Sequence, residues 1–139
     1  MNTTEEFISI SRILNAIPER VFQAWTDPNK LFKWWGPPGS QVKEVELNLQ
    51  VGGHYRIGFE FEEGPRMFVG GTYQEIAPQQ KLVFTWRWEN ENMDIGESLV
   101  TIELEEKGDQ TALFLKHEKL PNEEARVSHE EGWDGILSE

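Results

Sequence analysis

From Phe7 to Leu14 the chain reads Phe-Ile-Ser-Ile-Ser-Arg-Ile-Leu, with apolar and polar side chains in turn. That period of two is the pattern of a half-buried strand. The period then changes. Pro18 stands where the first turn of a helix tolerates proline, Glu19 follows, and Val21, Phe22 and Trp25 form an apolar stripe at helical spacing. A first helix is expected from about Pro18 to Trp25. Asp27-Pro28 repeats the start signal, and Leu31, Trp34 and Trp35 supply a second stripe until Gly36-Pro37-Pro38-Gly39 stops it.

From Gln41 to Lys119 the period of two returns, broken at Gly52-Gly53, Glu63-Gly64-Pro65, Ala77-Pro78, Asn90 to Gly96, and Lys107-Gly108-Asp109. The breaks divide this stretch into six further strands joined by short turns, an antiparallel meander. After Leu120-Pro121-Asn122 the chain becomes acidic and helix-permissive from Glu123 to Glu139, with Val127, Trp133, Ile136 and Leu137 as apolar positions. Gly132 and Gly135 each weaken that helix by roughly 1 kcal/mol relative to alanine, so packing must hold it. The expected architecture is α+β, one domain over residues 1–139: a curved seven-stranded antiparallel sheet wrapped around a long C-terminal helix, with two short helices between the first and second strands.

The alternation also assigns the inner wall of the sheet. Tyr55, Ile57, Phe59 and Phe61 share one strand face; Leu82, Phe84, Trp86 and Trp88 a second; Val100, Ile102 and Leu104 a third; Leu113, Leu115 and His117 a fourth. Met67, Val69, Gly71 and Tyr73 are the inward set of the remaining strand. Arg56, Glu60, Glu62, Thr85, Arg87, Thr101, Glu103, Glu105 and Lys116 fall on the opposite faces, in water. All six tryptophans lie in the two short helices, on the inner strand face, or in the last helix. An aromatic-lined interior follows, rather than a charge-based site.

With 25 acidic against 13 basic residues the formal net charge is -12, so the averaged field repels phosphate backbones and anionic membranes. Nucleic acid is not an expected partner. There is no cysteine for disulfide or thiolate chemistry, and neither a leader nor an apolar run long enough to span a bilayer. A cytoplasmic protein without membrane insertion is the expectation.

Acid-base chemistry needs a titratable group in a dry pocket. His117, among Leu113 and Leu115, is either a polar anchor facing a cavity or a satisfied core histidine. His129 shares a helix face with Trp133, and either points at a cavity mouth or packs against the Trp34-Trp35 segment. His54 lies opposite Tyr55 and should be solvated. The three histidines lack helical ligand spacing and the pairs Glu60/Glu62 and Glu103/Glu105 are on wet faces, so neither a metal nor a cofactor is expected. Arg56 and Arg87 either fork a ligand carboxylate at a rim or decorate a solvated face. Trp34-Trp35 either closes one end of the core or forms the lid of a ligand entrance. No catalytic residue is assigned.

The run from Asp27-Pro28 through Leu31 to Trp34-Trp35-Gly36-Pro37, then Gly52-Gly53, Gly71-Thr72-Tyr73 and Leu82-Val83-Phe84-Thr85-Trp86, resembles the activator of heat-shock protein 90 ATPase homologue family. His129-Glu130-Glu131-Gly132-Trp133 fits the same family, and the resemblance covers essentially the whole chain. It implies the helix-grip fold of the START-like superfamily and a cavity between sheet and helix for apolar or aromatic small molecules. Eukaryotic members that stimulate the chaperone carry an additional N-terminal domain; this sequence opens on its first strand, so chaperone activation is not the expectation.

The sequence-based expectation is therefore a binder of a small hydrophobic, aromatic or lipid-like molecule, monomeric or weakly homodimeric. Its cavity wall would comprise Trp34, Trp35, Tyr55, Ile57, Phe59, Phe61, Met67, Val69, Tyr73, Phe84, Trp86, Trp88, Val100, Ile102, Leu115, His117 and Trp133, with His117, Tyr55 and Tyr73 as polar anchors. One rival is a cyclase or dehydratase using His117 or a tyrosine. Another is a module that binds a chaperone or other protein partner through its acidic surface.

Overall fold

A computed structural model describes residues 7–35, 39–64, 66–89 and 96–137, with side chains in the last helix described as far as Trp133. The expected stop at Gly36-Pro37-Pro38, most of the Asn90 to Gly96 break, and the side chains of Gly135, Ile136 and Leu137 lie outside the described residues.

The first strand, β1, spans Phe7–Leu14. Two short helices follow, α1 over Pro18–Thr26 and α2 over Pro28–Trp34, each with proline in its first turn. The Asp27 carboxylate accepts the Asn29 amide at 2.9 Å, which caps α2 as its sequence signal requires. Six strands come next: β2 (Ser40–Leu47), β3 (His54–Phe61), β4 (Met67–Ala77), β5 (Lys81–Trp88), β6 (Ser98–Lys107) and β7 (Gln110–Glu118). The chain ends on α3, Glu123–Leu137, whose first turn is tied by the Asn122 side chain accepting the Ala125 amide at 2.8 Å.

All seven strands form one curled antiparallel sheet in the order β1-β7-β6-β5-β4-β3-β2. The meander returns to pair its last strand with its first, Ile10 opposite Leu115, while α1 and α2 carry the chain across to the far edge. The inner face supplies the core: Val69, Val100, Ile102, Leu113 and Leu115 are shielded almost completely from water. This is the helix-grip fold.

Thr85 and Val127 are among the positions that depart from their expected faces. Thr85, expected in water, is buried at 4% exposure. It lies on β5, the central strand of the sheet, beside a stretch of β4 that keeps one register from Val69↔Trp88 to Tyr73↔Phe84 before the irregularity between Tyr73 and Glu75. There the Thr72 amide donates to Thr85 Oγ1 at 2.8 Å, and the Tyr55 hydroxyl crosses β4 to donate to the Thr85 carbonyl at 2.6 Å. Gly71 makes this crossing feasible, because a Cβ there would collide with the Thr85 carbonyl. Val127, expected among the apolar contacts of the last helix, is instead 47% exposed, on the solvent side of α3.

On the outer face the Arg56 guanidinium donates to both carboxylate oxygens of Glu89, at 2.8 and 3.0 Å, and stacks over the Phe68 ring. Its fork is thus already filled. His54 is exposed, with Nδ1 3.2 Å from the Thr72 hydroxyl.

Candidate functional site

The contact between α3 and the sheet is built from indoles and imidazoles. Trp133 packs its ring 5.0 Å from that of Trp86 on β5 and 6.0 Å from that of Trp25 on α1. Its Nε1–H donates to Nδ1 of His117 on β7 at 3.0 Å. An indole nitrogen can only donate, so Nδ1 of His117 is the bare nitrogen and Nε2 carries the proton. That proton faces the Ser98 oxygen at 2.8 Å, and the Ser98 hydroxyl donates onward to the Trp86 carbonyl at 3.1 Å. Every donor in this buried chain finds an acceptor.

One turn earlier on α3, His129 adopts the opposite tautomer. Trp88 Nε1 donates to its Nε2 at 2.9 Å, leaving Nδ1–H to donate to the Ala125 carbonyl at 2.8 Å. His129 therefore packs on Trp86, Trp88 and His117 of the sheet, not on the Trp34-Trp35 segment. Both imidazoles are held neutral. Burial, reinforced by the neighbouring His129, depresses the His117 pKa to about 3. Burial also lowers that of His129, partly offset by its bond to the Ala125 carbonyl. A proton on His117 Nδ1 would point at the indole N–H of Trp133, donor against donor.

The two adjacent tryptophans at the end of α2 do different work. Trp34 turns back to α1, where its Nε1 donates to the Ala24 carbonyl at 2.7 Å and its ring meets Trp25 edge-on at 5.0 Å. Trp35 enters the core, 5.3 Å from Phe59 and 6.1 Å from Trp86.

Trp35 and Trp86 border two spaces. Toward β2 lies an inner pocket of only about 20 Å³, enclosed by residues that include Trp25, Leu31, Val45, Leu47, Tyr55, Ile57, Tyr73, Leu82 and Phe84. Rings and aliphatic chains nearly fill it. Toward α3 a crevice of about 200 Å³ opens between the sheet residues Phe59, Phe61, Met67, Trp86 and Trp88, with Trp35, and the helix residues Ser128, His129, Gly132 and Trp133. Phe61, 39% exposed, stands at its rim. Gly132 forms part of the helical wall, and a Cβ placed there would meet nothing within 4 Å.

The expected wall residues thus part company. Phe59, Phe61, Met67, Trp88 and Trp133 line the crevice; Tyr55, Ile57, Tyr73 and Phe84 line the inner pocket; Trp35 and Trp86 line both. Val69, Val100, Ile102, Leu115 and His117 are buried in the packed part of the core, and Trp34 faces α1. Among the expected polar anchors, Tyr55 spends its proton on Thr85, and burial, with Tyr73 beside it, raises its pKa. Burial likewise raises that of Tyr73. Sequence reasoning missed Ser98, Ser128 and Gly132. Only Gly132 left a signal, as a helix-weakening residue at i+3 from His129.

No lysine, arginine, aspartate or glutamate is among the residues lining the crevice, and among the described residues no group of three histidines or carboxylates converges to hold a metal ion. Nor, among these residues, is any helix long and apolar enough to cross a membrane.

Among solved structures, protein CV1439 of Chromobacterium violaceum is 31% identical with a TM-score of 0.87, over 96% of this chain and 92% of that one. The AHSA1 protein SPO3351 of Silicibacter pomeroyi is also 31% identical, with a TM-score of 0.83, over 95% and 92%. Protein NE0264 of Nitrosomonas europaea shares the fold at 21% identity, with a TM-score of 0.82 over 99% and 92%. None of the curated proteins matches the sequence. The family model for activator of Hsp90 ATPase homolog 1-like proteins matches residues 15–139, so the match runs from the end of β1 through α3 and takes in both walls of the crevice. The chain belongs to that family.

Proposed function

We propose that the protein binds a small, uncharged, ring-bearing hydrophobic molecule in the crevice between β3–β5 and α3. The observation that carries this reading is the open apolar space beside Gly132. A helix interior that keeps glycine loses roughly 1 kcal/mol relative to alanine, and here the missing methyl leaves room rather than relieving a clash.

Size narrows the ligand class. A dry apolar cavity of about 150 Å³ takes up benzene, whereas drug-sized pockets begin near 300 Å³. The 200 Å³ crevice suits one ring or a compact bicycle, and a sterol would require the rings to move apart. For roughly ten heavy atoms at ~0.5 kcal/mol each, the dissociation constant is on the order of 0.1–1 mM.

Holding a ligand is favoured over turning it over through His117. Both of its ring nitrogens are engaged, so it offers a substrate neither lone pair nor proton until the contact to Trp133 or Ser98 breaks. The test is a titration with naphthalene-sized probes, followed by tryptophan fluorescence, in the wild type and in Gly132→Leu. The leucine side chain would occupy the crevice. Saturable quenching in the wild type and none in the variant is the expected result; equal responses in both would overturn the assignment.

A further inference from the structure

We infer that Trp35 fixes how long a ligand the site accepts: its indole bars a trough that continues along the inner face of β3–β5, so a single ring or compact bicycle fits and a long-chain molecule does not. This rests on the reading of the crevice as a binding site and adds the residue that sets its selectivity.

The crevice and the inner pocket lie end to end on one face of the sheet. On β3 the consecutive inward residues Ile57 and Phe59 belong to the pocket and to the crevice respectively. On β5 the boundary falls at Trp86, with Phe84 on the pocket side and Trp88 on the crevice side. On β4 it falls between Tyr73 and Met67, where Val69 is wholly buried. The Trp35 ring spans this same line, 5.3 Å from that of Phe59 on β3 and 6.1 Å from that of Trp86 on β5.

Trp35 and Trp86 both border the two spaces, but they are held differently. Trp86 is part of the central strand and packs against Trp133 and Trp88, at 5.0 and 5.7 Å. Trp35 is laid across from outside the sheet, on extended backbone just past α2. Its indole is the crossbar that separates about 200 Å³ on one side from about 20 Å³ on the other. A ligand tail beyond the bar would meet apolar wall at Ile57 and Phe84, but only by displacing the indole. Each methylene kept in water instead forgoes a gain of about fourfold in affinity.

The probes are the straight-chain phenylalkanols from phenylethanol to phenylhexanol, which keep one ring and one hydroxyl while the methylene chain grows. Dissociation constants are taken from ¹⁵N–¹H shift titrations of the wild type and of Trp35→Ala. Trp35→Leu is run beside it, since alanine in place of a buried indole costs stability. In the wild type affinity should level off within the first few members. In the variants it should keep rising, by up to about fourfold per methylene. The wild type alone gives a second readout: bound phenylhexanol should show nuclear Overhauser contacts to the Met67 methyl and none to the Ile57 methyls. Parallel chain-length profiles in wild type and variants, or contacts to Ile57 in the wild type, would overturn the inference and leave the binding reading intact. Absence of saturable binding of every member by the wild type would overturn both.

Discussion

Lowering the pH from about 7 to about 5 should destabilise the fold through one imidazole, an effect that can be sized from the linkage between protonation and folding. His117 titrates near 3 when folded, against an ordinary 6.5, so between those values the unfolded chain binds the additional proton. Its contribution is fully present above pH 6.5, declines below it, and is gone once the pH passes through 3. At about pH 5, roughly 1.5 units below the unfolded value, the loss is about 2 kcal/mol. His129, lowered in the same direction, adds to it. The charge of -12 acts oppositely, since protonating carboxylates relieves repulsion, but most carboxylates titrate near or below about 4.3. Urea unfolding followed by tryptophan fluorescence, in the wild type and in His117→Gln at both pH values, separates the two effects. The wild type should lose about 2 kcal/mol more than the variant between the two conditions. Identical pH slopes, or a wild type more stable at the lower pH, would refute the reasoning.

Three substitutions test the packing around the site. Ser98→Ala removes the acceptor for His117 Nε2–H and the donor to the Trp86 carbonyl, and should cost about 1–3 kcal/mol in urea unfolding. Gly132→Ala adds a methyl into open space on a helix, and should raise stability by up to about 1 kcal/mol, read as a higher melting temperature. Gly71→Ala forces a methyl onto the Thr85 carbonyl and should destabilise by about 1–3 kcal/mol, with the signature of Tyr55 losing its acceptor in near-ultraviolet circular dichroism.

The elements were legible because their signals are local. β1 has the expected bounds, both prolines fall in first helical turns, and Asp27 caps α2. The inner strand faces followed from the period of two. What escaped depends on which distant strand or helix lies opposite. Thr85 is buried where β4 comes close against it at Gly71 and Thr72, and alternation along β5 alone carries no trace of that. Val127 and His129 lie two positions apart on the same helix, yet only His129 turns toward the sheet, to Trp88. Adjacent Trp34 and Trp35 part company because the helix ends between them: Trp34 closes α2, whereas the backbone of Trp35 is already extended. The extent of the open space was least legible of all: strand faces specify a wall, whereas volume depends on how far each ring reaches and on one glycine across the gap.

The most direct test of the crevice is a ¹⁵N–¹H correlation titration that follows the indole resonances as acetophenone is added. The indoles of Trp86 and Trp88, on the crevice, should shift saturably, while that of Trp34, bonded to the Ala24 carbonyl on α1, stays in place. Shifts spread evenly over all indoles, or none up to the solubility limit of the probe, would contradict it.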